Sequence, residues 1–408
     1  MMDDRVILHC DCNSFFASVE TSLNPEYKNV PMAVCGSVED RHGIVLAKNE
    51  LAKKFGIQTA ETVYSAKRKC PGLVLASPHY DKYCEYSKRV NKIYADYTDL
   101  IEPFGIDESW LDVTASQRFF GSGNFIAEKI RSRVKEEIGI TVSIGVSFNK
   151  VFAKLGSDYK KPDAITVIDK TNFQSIVYPL PASDLLFVGK KTAESLKNIG
   201  IFTIGDLAAC PLETLALRFG KMGEMLFKYS RGLDDSPVYS GADEDAKSVG
   251  NGFTFKHDLI TKDDCRLAVD YLCDEIGSRL RNKGLKCSTV CVSIKDDNLK
   301  VIQRQNGISV PTDISSEIAD HAFEILKREW NIGNPIRTIT VTATNLIKHE
   351  NEMIQMDFFA DQDEEELRSK VRLKEQTVDL IKKKYGSSAI VRGAVIDNDI
   401  GVYQKKTK

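Results

Sequence analysis

The amino-acid sequence predicts an α+β protein of several domains, and three observations support that prediction. Strands and helices mix over the first 170 residues without a strict β-α-β rhythm. Short helices broken by Gly and Pro follow over residues 171–232, and a second sheet restarts after a small, acidic stretch. The chain has 408 residues, which is long enough for two or three domains.

Composition and charge limit the classes of protein to which the chain can belong. Apolar residues make up 42% of it, and the net charge is −2, so a nucleic-acid binder would have to segregate its charges. The 10 cysteines are scattered and predict neither a zinc site nor a disulfide framework. No apolar run approaches a membrane span, and MMDDRVILHC is unlike a signal peptide. We therefore predict a soluble protein of the reducing cytoplasm.

The first part of the chain supplies the strands and helices of the α+β region. A buried strand is predicted for VILHC (Val6–Cys10), followed by a helix from Phe15 that Ser14 or Asn13 can cap. Strands are predicted for PMAVCG, GIVLA and TVSIGVS, and a helix closed by glycine is predicted for NELAKKFG. A long, tyrosine-rich helix is predicted over Tyr80–Leu100.

Three helices separated by two glycine turns are predicted within LLFVGKKTAESLKNIGIFTIGDL. Gly189 in the first turn lets backbone N–H groups approach a phosphate closely, and Lys190 and Lys191 add positive charge beside it. An ordinary helical hairpin with a capped end would show the same pattern, so both interpretations stay open.

The second sheet, over residues 247–350, has the predicted element order β-α-β-β-α-β of a split, ferredoxin-like unit. Its strands alternate Thr, Ser, Lys and Arg with apolar residues, so one face should be polar and partly basic. The basic candidates are Lys295, Lys300, Arg304 and Arg337. A solvated sheet face would show the same alternation, and charge counting does not separate the two interpretations.

Acidic residues stand at the ends of two apolar strands. Asp11 ends the first strand, and Asp107 and Glu108 stand side by side in GIDESWLDVT, after Pro103 and Gly105. Carboxylates that converge from two strand ends must be neutralised, because unpaired buried charges cost several kcal/mol. Two divalent cations about 4 Å apart would neutralise them and hold a triphosphate. The alternative is that this Asp-Glu pair consists of solvated surface residues without a role in binding.

A lysine cluster follows the strand TVSIGVS, at Lys150, Lys154, Lys160 and Lys161. A lysine cluster alone is usually a solvated face. Because this cluster accompanies the acidic residues, it favours a polyphosphate-binding site.

Four stretches together resemble the Y-family (translesion) DNA polymerases, in their bacterial DNA polymerase IV branch. They are ILHCDCNSFFASVE, GIDESWLDVT, SIGVSFNKVFAKLGSDYKKPD and VGKKTAESLKNIGI, and they follow one another in the family's order. The resemblance implies a right-hand polymerase fold of class α+β. Its domains would be a ferredoxin-like palm (1–24 and 78–170), small fingers (25–77), a helix-hairpin-helix thumb (171–232), a linker (233–246), a βαββαβ little finger (247–350) and a C-terminal tail (351–408).

The resemblance also implies roles for residues that match the family's motifs. Asp11, Asp107 and Glu108 match its three catalytic, metal-binding carboxylates, which implies two Mg²⁺ ions per active site. Cys12 matches the residue whose backbone carbonyl helps to hold the nucleotide's metal. Phe16 matches the aromatic steric gate, whose ring fills the space that a ribose 2′-hydroxyl would need.

Nucleotide binding is implied at the start of the first helix. The backbone amides of Phe15 and Phe16 would hold the triphosphate there, and Lys161 matches a triphosphate-binding lysine. The ring of Phe15 also begins an apolar stripe with Val19 and Leu23, which favours a core position for it. Phe16 lies off that stripe.

Two positions depart from the family's pattern. In KNELAKKFG, Glu50 stands where the family often has a tyrosine and Lys53 where it often has an arginine. Lys53 still offers charge to a triphosphate but not a bidentate fork, whereas Glu50 offers no favourable contact. Asn13 stands where an aspartate is frequent, at a position that need not bind metal.

The segment QMDFF resembles the peptide by which polymerases dock into the sliding clamp. Its Gln355, Met356, Phe358 and Phe359 would provide polar anchoring and pocket-filling apolar groups. The alternative is an apolar segment that packs back on its own domain.

The resemblance therefore implies a low-fidelity, template-directed DNA polymerase for translesion synthesis and DNA repair, a mutator enzyme. Its partners would be primer–template DNA, dNTPs and the sliding clamp, without membrane contact, and the protein would act as a monomer. A nucleotidyl cyclase and a non-catalytic, DNA-binding accessory protein of polymerase fold are the alternatives.

Overall fold

The computed structural model shows an α+β chain and describes residues 5–37, 43–240, 246–348, 362–386, 388–396 and 398–402. The chain divides into two compact units, the first comprising 1–36 and 44–244 and the second comprising 37–43 and 245–408. Both units contain helices packed on sheets. Within the described ranges, no helix is both long and apolar enough to cross a membrane.

The first unit contains eight strands and twelve α-helices in its described part. The strands are β1 (Ile7–Cys12), β2 (Met32–Cys35), β3 (Val45–Lys48), β4 (Val74–Ala76), β5 (Ile101–Pro103), β6 (Glu108–Asp112), β7 (Val142–Ser147) and β8 (Ile165–Ile168). The helices are α1 (Phe15–Leu23), α2 (Glu50–Lys53), α3 (Val63–Lys69), α4 (Tyr80–Ala95), α5 (Gln117–Phe120), α6 (Gly123–Arg133), α7 (Lys150–Tyr159), α8 (Phe173–Val177), α9 (Lys190–Lys197), α10 (Ile204–Ala209), α11 (Leu212–Phe219) and α12 (Lys221–Ser230).

Two sheets and a helical segment organise this unit. The larger sheet has the order β5-β6-β1-β7-β8, so that β1 lies at its centre, and the smaller sheet has the order β3-β2-β4. Strand β1 pairs with an antiparallel strand on each side. Its apolar residues Ile7 and Leu8 are fully buried. Helices α8 to α12 share an apolar core with α7.

A close approach of α7 to the central strands brings its side chains toward β1. Gly145 of β7 pairs with His9 of β1, and a Cβ atom at Gly145 would lie 1.8 Å from the carbonyl oxygen of Ala153. Only glycine leaves room for the helix backbone at this point. The helix therefore lies directly against the sheet beside His9.

The second unit confirms the predicted β-α-β-β-α-β order. Its elements are β9 (Ser248–Leu259), α13 (Lys262–Asn282), β10 (Leu285–Asp296), β11 (Val301–Thr312), α14 (Ser315–Glu329) and β12 (Ile336–Lys348). The sheet order is β11-β10-β12-β9 with antiparallel neighbours, so β12 lies between β9 and β10 and splits the first β-α-β unit. Helix α13 is capped by Thr261, whose hydroxyl accepts from the Asp264 amide.

A further helix, α15 (Gln362–Tyr385), lies in the region predicted as a tail and packs on the second unit. Its Glu375 and Asp379 bind Arg281 of α13, whose side chain is only 7% exposed. Arg372 of α15 also binds Asp313, at 2.9 Å. The predicted clamp peptide, Gln355 to Phe359, lies outside the described residues.

Two predicted helices are shorter in the structure. The helix expected over Tyr80–Leu100 ends at Ala95, because the Thr98 hydroxyl donates to the Asp112 carbonyl at 2.7 Å and directs the chain into β5. The helix expected before Val188 is only a 3₁₀ turn, Ala182–Asp184, which follows Pro181. Helices α9 and α10 form as predicted.

Candidate active site

The acidic residues singled out in the sequence meet where β1 ends and β6 begins. Asp11 pairs directly with Glu108 across the two antiparallel strands. The Cys12 amide donates to the Asp107 carbonyl at 2.9 Å. Asp107 precedes the first residue of β6, so it need not alternate faces with Glu108 as it would within a regular strand. The structure thus brings the three carboxylates to one end of the sheet.

Two lysines from α7 and the segment after it neutralise part of this charge. Lys161 Nζ lies 2.7 Å from Asp11 Oδ2, and Lys154 Nζ lies 2.6 Å from Glu108 Oε2. Lys150, by contrast, binds Glu102 at 2.6 Å. Of the predicted lysine cluster, therefore, Lys154 and Lys161 reach the carboxylates.

The three carboxylates differ in their protonation equilibria. Burial, together with the charges of Asp11 and Glu108, raises the pKa of Asp107 from its ordinary 3.8 to about 6. Burial also acts to raise the pKa of Glu108, but the nearby His9 ring and the hydrogen bond and charge of Lys154 outweigh it and hold that pKa at about 2. Asp107 forms no ion pair among the described residues and carries the charge that is least compensated.

The donor set suits a hard divalent cation, because it consists of carboxylate oxygens next to backbone carbonyls. In the present side-chain positions, no three acidic, histidine or cysteine side chains of the described ranges are close enough to chelate one ion. Lys161 and Lys154 instead hold one oxygen each of Asp11 and Glu108. The uncompensated charge of Asp107 favours entry of a cation.

His9 was not among the residues predicted from the sequence, although it contacts the site. It is fully buried on β1, with Nδ1 2.8 Å from the Ser157 hydroxyl and Nε2 3.4 Å from Glu108 Oε2. Burial lowers the pKa of His9, although the nearby Glu108 carboxylate partly opposes this. The available signal was a histidine inside the apolar strand VILHC, which is a costly place for an unpaired imidazole.

The start of α1 lacks a side-chain cap. Ser14 occupies the N-cap position with φ 47°, but its hydroxyl accepts from none of the helix amides and instead donates to Glu50 Oε1 at 3.2 Å. The first amide groups of α1, at Phe15 and Phe16, are therefore left without a side-chain acceptor among the residues that the structure describes. Asn13, the other predicted cap, has a different role, since its Oδ1 accepts from the Asp163 amide at 2.8 Å.

The two phenylalanines of α1 occupy different surroundings. Phe15 is 3% exposed and packs in the core, as its position in the apolar stripe predicted. Phe16 is partly buried, and its ring stacks on Tyr83 with centroids 4.0 Å apart and planes inclined by 12°. The Tyr83 hydroxyl in turn donates to Glu20 at 2.5 Å, so the surface that supports Phe16 is itself fixed.

Glu50, which departs from the family's pattern, forms an ion pair in the structure. Glu50 Oε1 lies 2.5 Å from Lys53 Nζ, one turn along α2, in addition to the contact from Ser14. Both side chains are about half exposed, at 47% and 40%. The positive charge of Lys53 is therefore compensated within the chain.

The residues predicted to contact DNA lie on both units. In the first unit, Gly189 is the N-cap of α9, and Lys190 and Lys191 are its exposed first residues. In the second unit, Lys300 is exposed just before β11, and Arg337 lies at an irregularity of β12.

The register of the second sheet separates two of the predicted basic residues. Arg304 pairs with Val292, a core residue, whereas Lys295 is three residues further along β10 and therefore points to the opposite face. Arg304 also binds Glu329, at the end of α14, at 3.2 Å. The expectation that both belong to one polar face does not hold, because the strand pairing places Arg304 on the side that the helices cover.

Comparisons with known proteins agree along the length of the chain. The sequence matches the impB/mucB/samB family over residues 10–158, the DNA polymerase-iota thumb domain over 183–234 and the impB/mucB/samB family C-terminal domain over 246–358. The DNA polymerase IV of Acetivibrio thermocellus is 46% identical over 395 residues, which is 97% of this chain and 98% of that protein. DNA polymerase IV 1 of Bacillus subtilis is 34% identical over 404 residues, with 99% and 95% covered.

A solved structure agrees with these matches in fold. A Y-family DNA polymerase chimera superposes on this chain with a TM-score of 0.73, at 24% identity, and covers 84% of this chain and 100% of its own. The chain thus belongs to the impB/mucB/samB family of Y-family, translesion DNA polymerases, and its full-length relatives place it in the DNA polymerase IV branch. As a member of that branch it is a DNA-directed DNA polymerase. The right-hand fold predicted from the sequence is confirmed, whereas the domain boundaries and the roles of single residues stay predictions.

Replacing Asp107 with Asn should stabilise the metal-free protein at pH 7.5. The folded-state pKa of about 6 lies above the ordinary 3.8, so the charge destabilises the fold fully above about pH 6, and this effect fades as the pH falls through 3.8, where the unfolded chain also takes up the proton. After allowance for partial exposure, we expect a gain of about 1–2 kcal/mol at pH 7.5 that vanishes toward pH 4.

The measurement is denaturant unfolding in EDTA at both pH values. Asp99→Asn is the control, because Asp99 is exposed and forms no ion pair among the described residues. An equal gain for Asp107→Asn at both pH values would contradict the assignment.

Proposed function

We propose that Asp11, Asp107 and Glu108 bind two Mg²⁺ ions and that this site joins a deoxynucleotide to the 3′ end of a primer. The convergence of three carboxylates on two adjoining strand ends supports this most strongly, together with the uncompensated charge of Asp107. Oxygen donors suit Mg²⁺ when it shares its ligands with substrate phosphates. Cys12 would add its backbone carbonyl to the ligands.

The reaction is a nucleotidyl transfer. The primer 3′-oxygen attacks the α-phosphorus of a dNTP, the bond from that phosphorus to pyrophosphate breaks, and the 3′-hydroxyl loses its proton. When bound, the cations would lower the pKa of the 3′-hydroxyl and neutralise charge on the leaving pyrophosphate. The chain contributes placement, since β1 and β6 fix the carboxylates, and Lys154 and Lys161 are cations that can pass from the carboxylates to phosphate oxygens.

The triphosphate would lie against the start of α1. Within the described part of the chain, the amides of Phe15 and Phe16 have no side-chain acceptor, which is the state in which a helix N-terminus binds phosphate. Lys161 and Lys53 would supply positive charge, although Lys53 must first leave Glu50. Phe16, supported from behind by Tyr83, would be the steric gate against a ribose 2′-hydroxyl.

Primer–template DNA would be held by the basic residues outside the catalytic sheet. The glycine turn at Gly189, with Lys190 and Lys191, would bind backbone phosphates through the start of α9. Lys295, Lys300, Arg304 and Arg337 would contribute further phosphate contacts from the second unit. Arg304 would first have to leave Glu329, so we expect it to contribute least.

Gln355, Met356, Phe358 and Phe359 would bind the sliding clamp, and the enzyme would work as a cytoplasmic monomer without membrane contact. The peptide combines a polar anchor with two consecutive aromatic groups, which suits a pocket on a partner. The alternatives of a nucleotidyl cyclase and of a non-catalytic accessory protein are not favoured, because the full-length relatives are polymerases.

Primer extension with Mg²⁺ and dNTPs on undamaged and damaged templates tests this function. The wild-type protein should extend the primer, and Asp11→Asn or Glu108→Gln should reduce extension at least about 100-fold. Asp99→Asn serves as the matched surface control. Full-speed synthesis by the Asp11 variant would refute the site, a cyclic product without DNA would indicate a cyclase, and DNA binding without extension would indicate an accessory protein.

Replacing Phe16 with Ala should admit ribonucleotides. The ring leaves the surface of Tyr83 and opens the space that a 2′-hydroxyl needs, so discrimination between dNTP and rNTP, measured as the ratio of kcat/KM values, should fall about tenfold or more. Phe119→Ala is the control, because Phe119 is 84% exposed. Unchanged sugar discrimination in the Phe16 variant would exclude the gate.

Replacing Glu50 with Gln should lower the KM for dNTP about threefold to tenfold while leaving kcat nearly unchanged. The change frees Lys53 and removes a negative charge that a triphosphate would meet. Single-nucleotide insertion kinetics measure both constants. Glu85→Gln is the matched control, since Glu85 forms an exposed pair with Lys82 of the same i, i+3 spacing. A KM that stays constant or rises would show that Glu50 does not oppose the nucleotide.

A further inference from the structure

A buried histidine behind the acidic cluster has no role in the function proposed above. His9 is fully buried on the central strand β1, two residues before Asp11. The edge of its ring faces Trp110, with centroids 5.1 Å apart and planes inclined by 61°. An apolar side chain could satisfy this packing, so packing alone does not explain an imidazole here.

The two ring nitrogens of His9 face different groups. Nδ1 lies 2.8 Å from the Ser157 hydroxyl, which is carried by α7. Nε2 lies 3.4 Å from Glu108 Oε2 and has no closer polar partner in the described ranges. Burying a ring nitrogen without a good partner destabilises the fold, so the position of Nε2 beside Glu108 calls for a reason beyond packing.

The surroundings determine which nitrogen carries the proton. An ionised carboxylate only accepts hydrogen bonds, so the nitrogen that faces Glu108 must be the donor, Nε2–H. Nδ1 then accepts from the Ser157 hydroxyl, which turns its single proton to the imidazole from the Lys154 carbonyl, to which it donates at 2.8 Å in the structure. The opposite tautomer would turn a lone pair toward the carboxylate. We therefore assign a chain of hydrogen bonds from Ser157 through His9 to Glu108.

Both donors to Glu108 use the same oxygen. Lys154 Nζ and His9 Nε2 contact Oε2, at 2.6 and 3.4 Å, and within the described ranges no side chain donates to Oε1. Lys154 is about one-fifth exposed, on a side chain that can rotate, whereas the ring of His9 is enclosed by the sheet and α7. The histidine is therefore the fixed contact of the two.

We propose that His9 is a positioning residue that holds Oε2 of Glu108 and thereby directs Oε1 toward the divalent cations. The proposal rests on the metal-dependent function proposed above. It assigns Ser157 the task of orienting the imidazole, as partners behind a metal ligand commonly do. The long contact to Glu108 is expected to shorten when Lys154 leaves Oε2 for the substrate.

Two substitutions of His9 separate positioning from packing. The side-chain amide of glutamine reaches about as far as Nε2 of histidine, so His9→Gln keeps a donor to Glu108. The amide of asparagine stops near the position of Nδ1, so His9→Asn keeps the contact to Ser157 and loses the one to Glu108. Both replace the imidazole by an amide of similar polarity, and thermal unfolding reports on their packing.

The main readout is the affinity for Mn²⁺, measured by electron paramagnetic resonance on the full chain without DNA or nucleotide. We expect His9→Asn to weaken Mn²⁺ binding about tenfold and His9→Gln to stay within about threefold of the wild type. In primer extension, His9→Asn should need more Mg²⁺ for half-maximal rate and should lower kcat more than it raises the KM for dNTP.

Equal Mn²⁺ affinity in His9→Asn and the wild type would overturn the proposal, as would equal losses in both His9 variants. If both variants fail to fold, Ser157→Ala decides, because it leaves His9 in place and removes only its orienting partner. A loss of about threefold in Mn²⁺ affinity supports the proposal, and no loss overturns it. The proposal can fail while the wild type still extends primers, so its failure is distinct from failure of the proposed function.

Discussion

The antiparallel pairing of β1 with β6 is the constraint on which the site depends. It sets Asp11 opposite Glu108 and ties Asp107 to Cys12 through a backbone hydrogen bond, so the three carboxylates converge without a flexible loop. Because backbone hydrogen bonds hold these residues in place, the carboxylates can relieve their repulsion only by rotation of their side chains. The charge must instead be met by cations, which in this structure are Lys154 and Lys161.

The three carboxylates differ in how far their charge is compensated, because the two lysines form ion pairs with only two of them. Lys161 meets Asp11 and Lys154 meets Glu108, while Asp107 has neighbours of its own sign and a raised pKa. If divalent cations bind here as proposed, they would displace the ammonium groups of Lys154 and Lys161 from the carboxylates. The close packing of α7 on β7, which Gly145 permits, delivers both Lys154 and Ser157 to β1.

The sequence predicted the fold class, the order of the second sheet and the acidic residues, because these depend on local periodicity and on short motifs. It did not predict partnerships formed across long separations. His9 was overlooked because its partners Ser157 and Glu108 are remote in sequence, and the face of Arg304 required the strand register. The sequence showed that Glu50 departs from the family's pattern, but it did not show that Glu50 forms an ion pair with Lys53.

Helix α15 has a mechanical consequence for the peptide that precedes it. Strand β12 ends at Lys348, and α15, which starts at Gln362, is fastened to the same unit through Arg281. In the sequence, the aromatic peptide around Phe358 thus lies between β12 and α15, which both belong to the second unit. A partner that bound this peptide as proposed would therefore be linked to the second unit through β12 and through α15 at the same time.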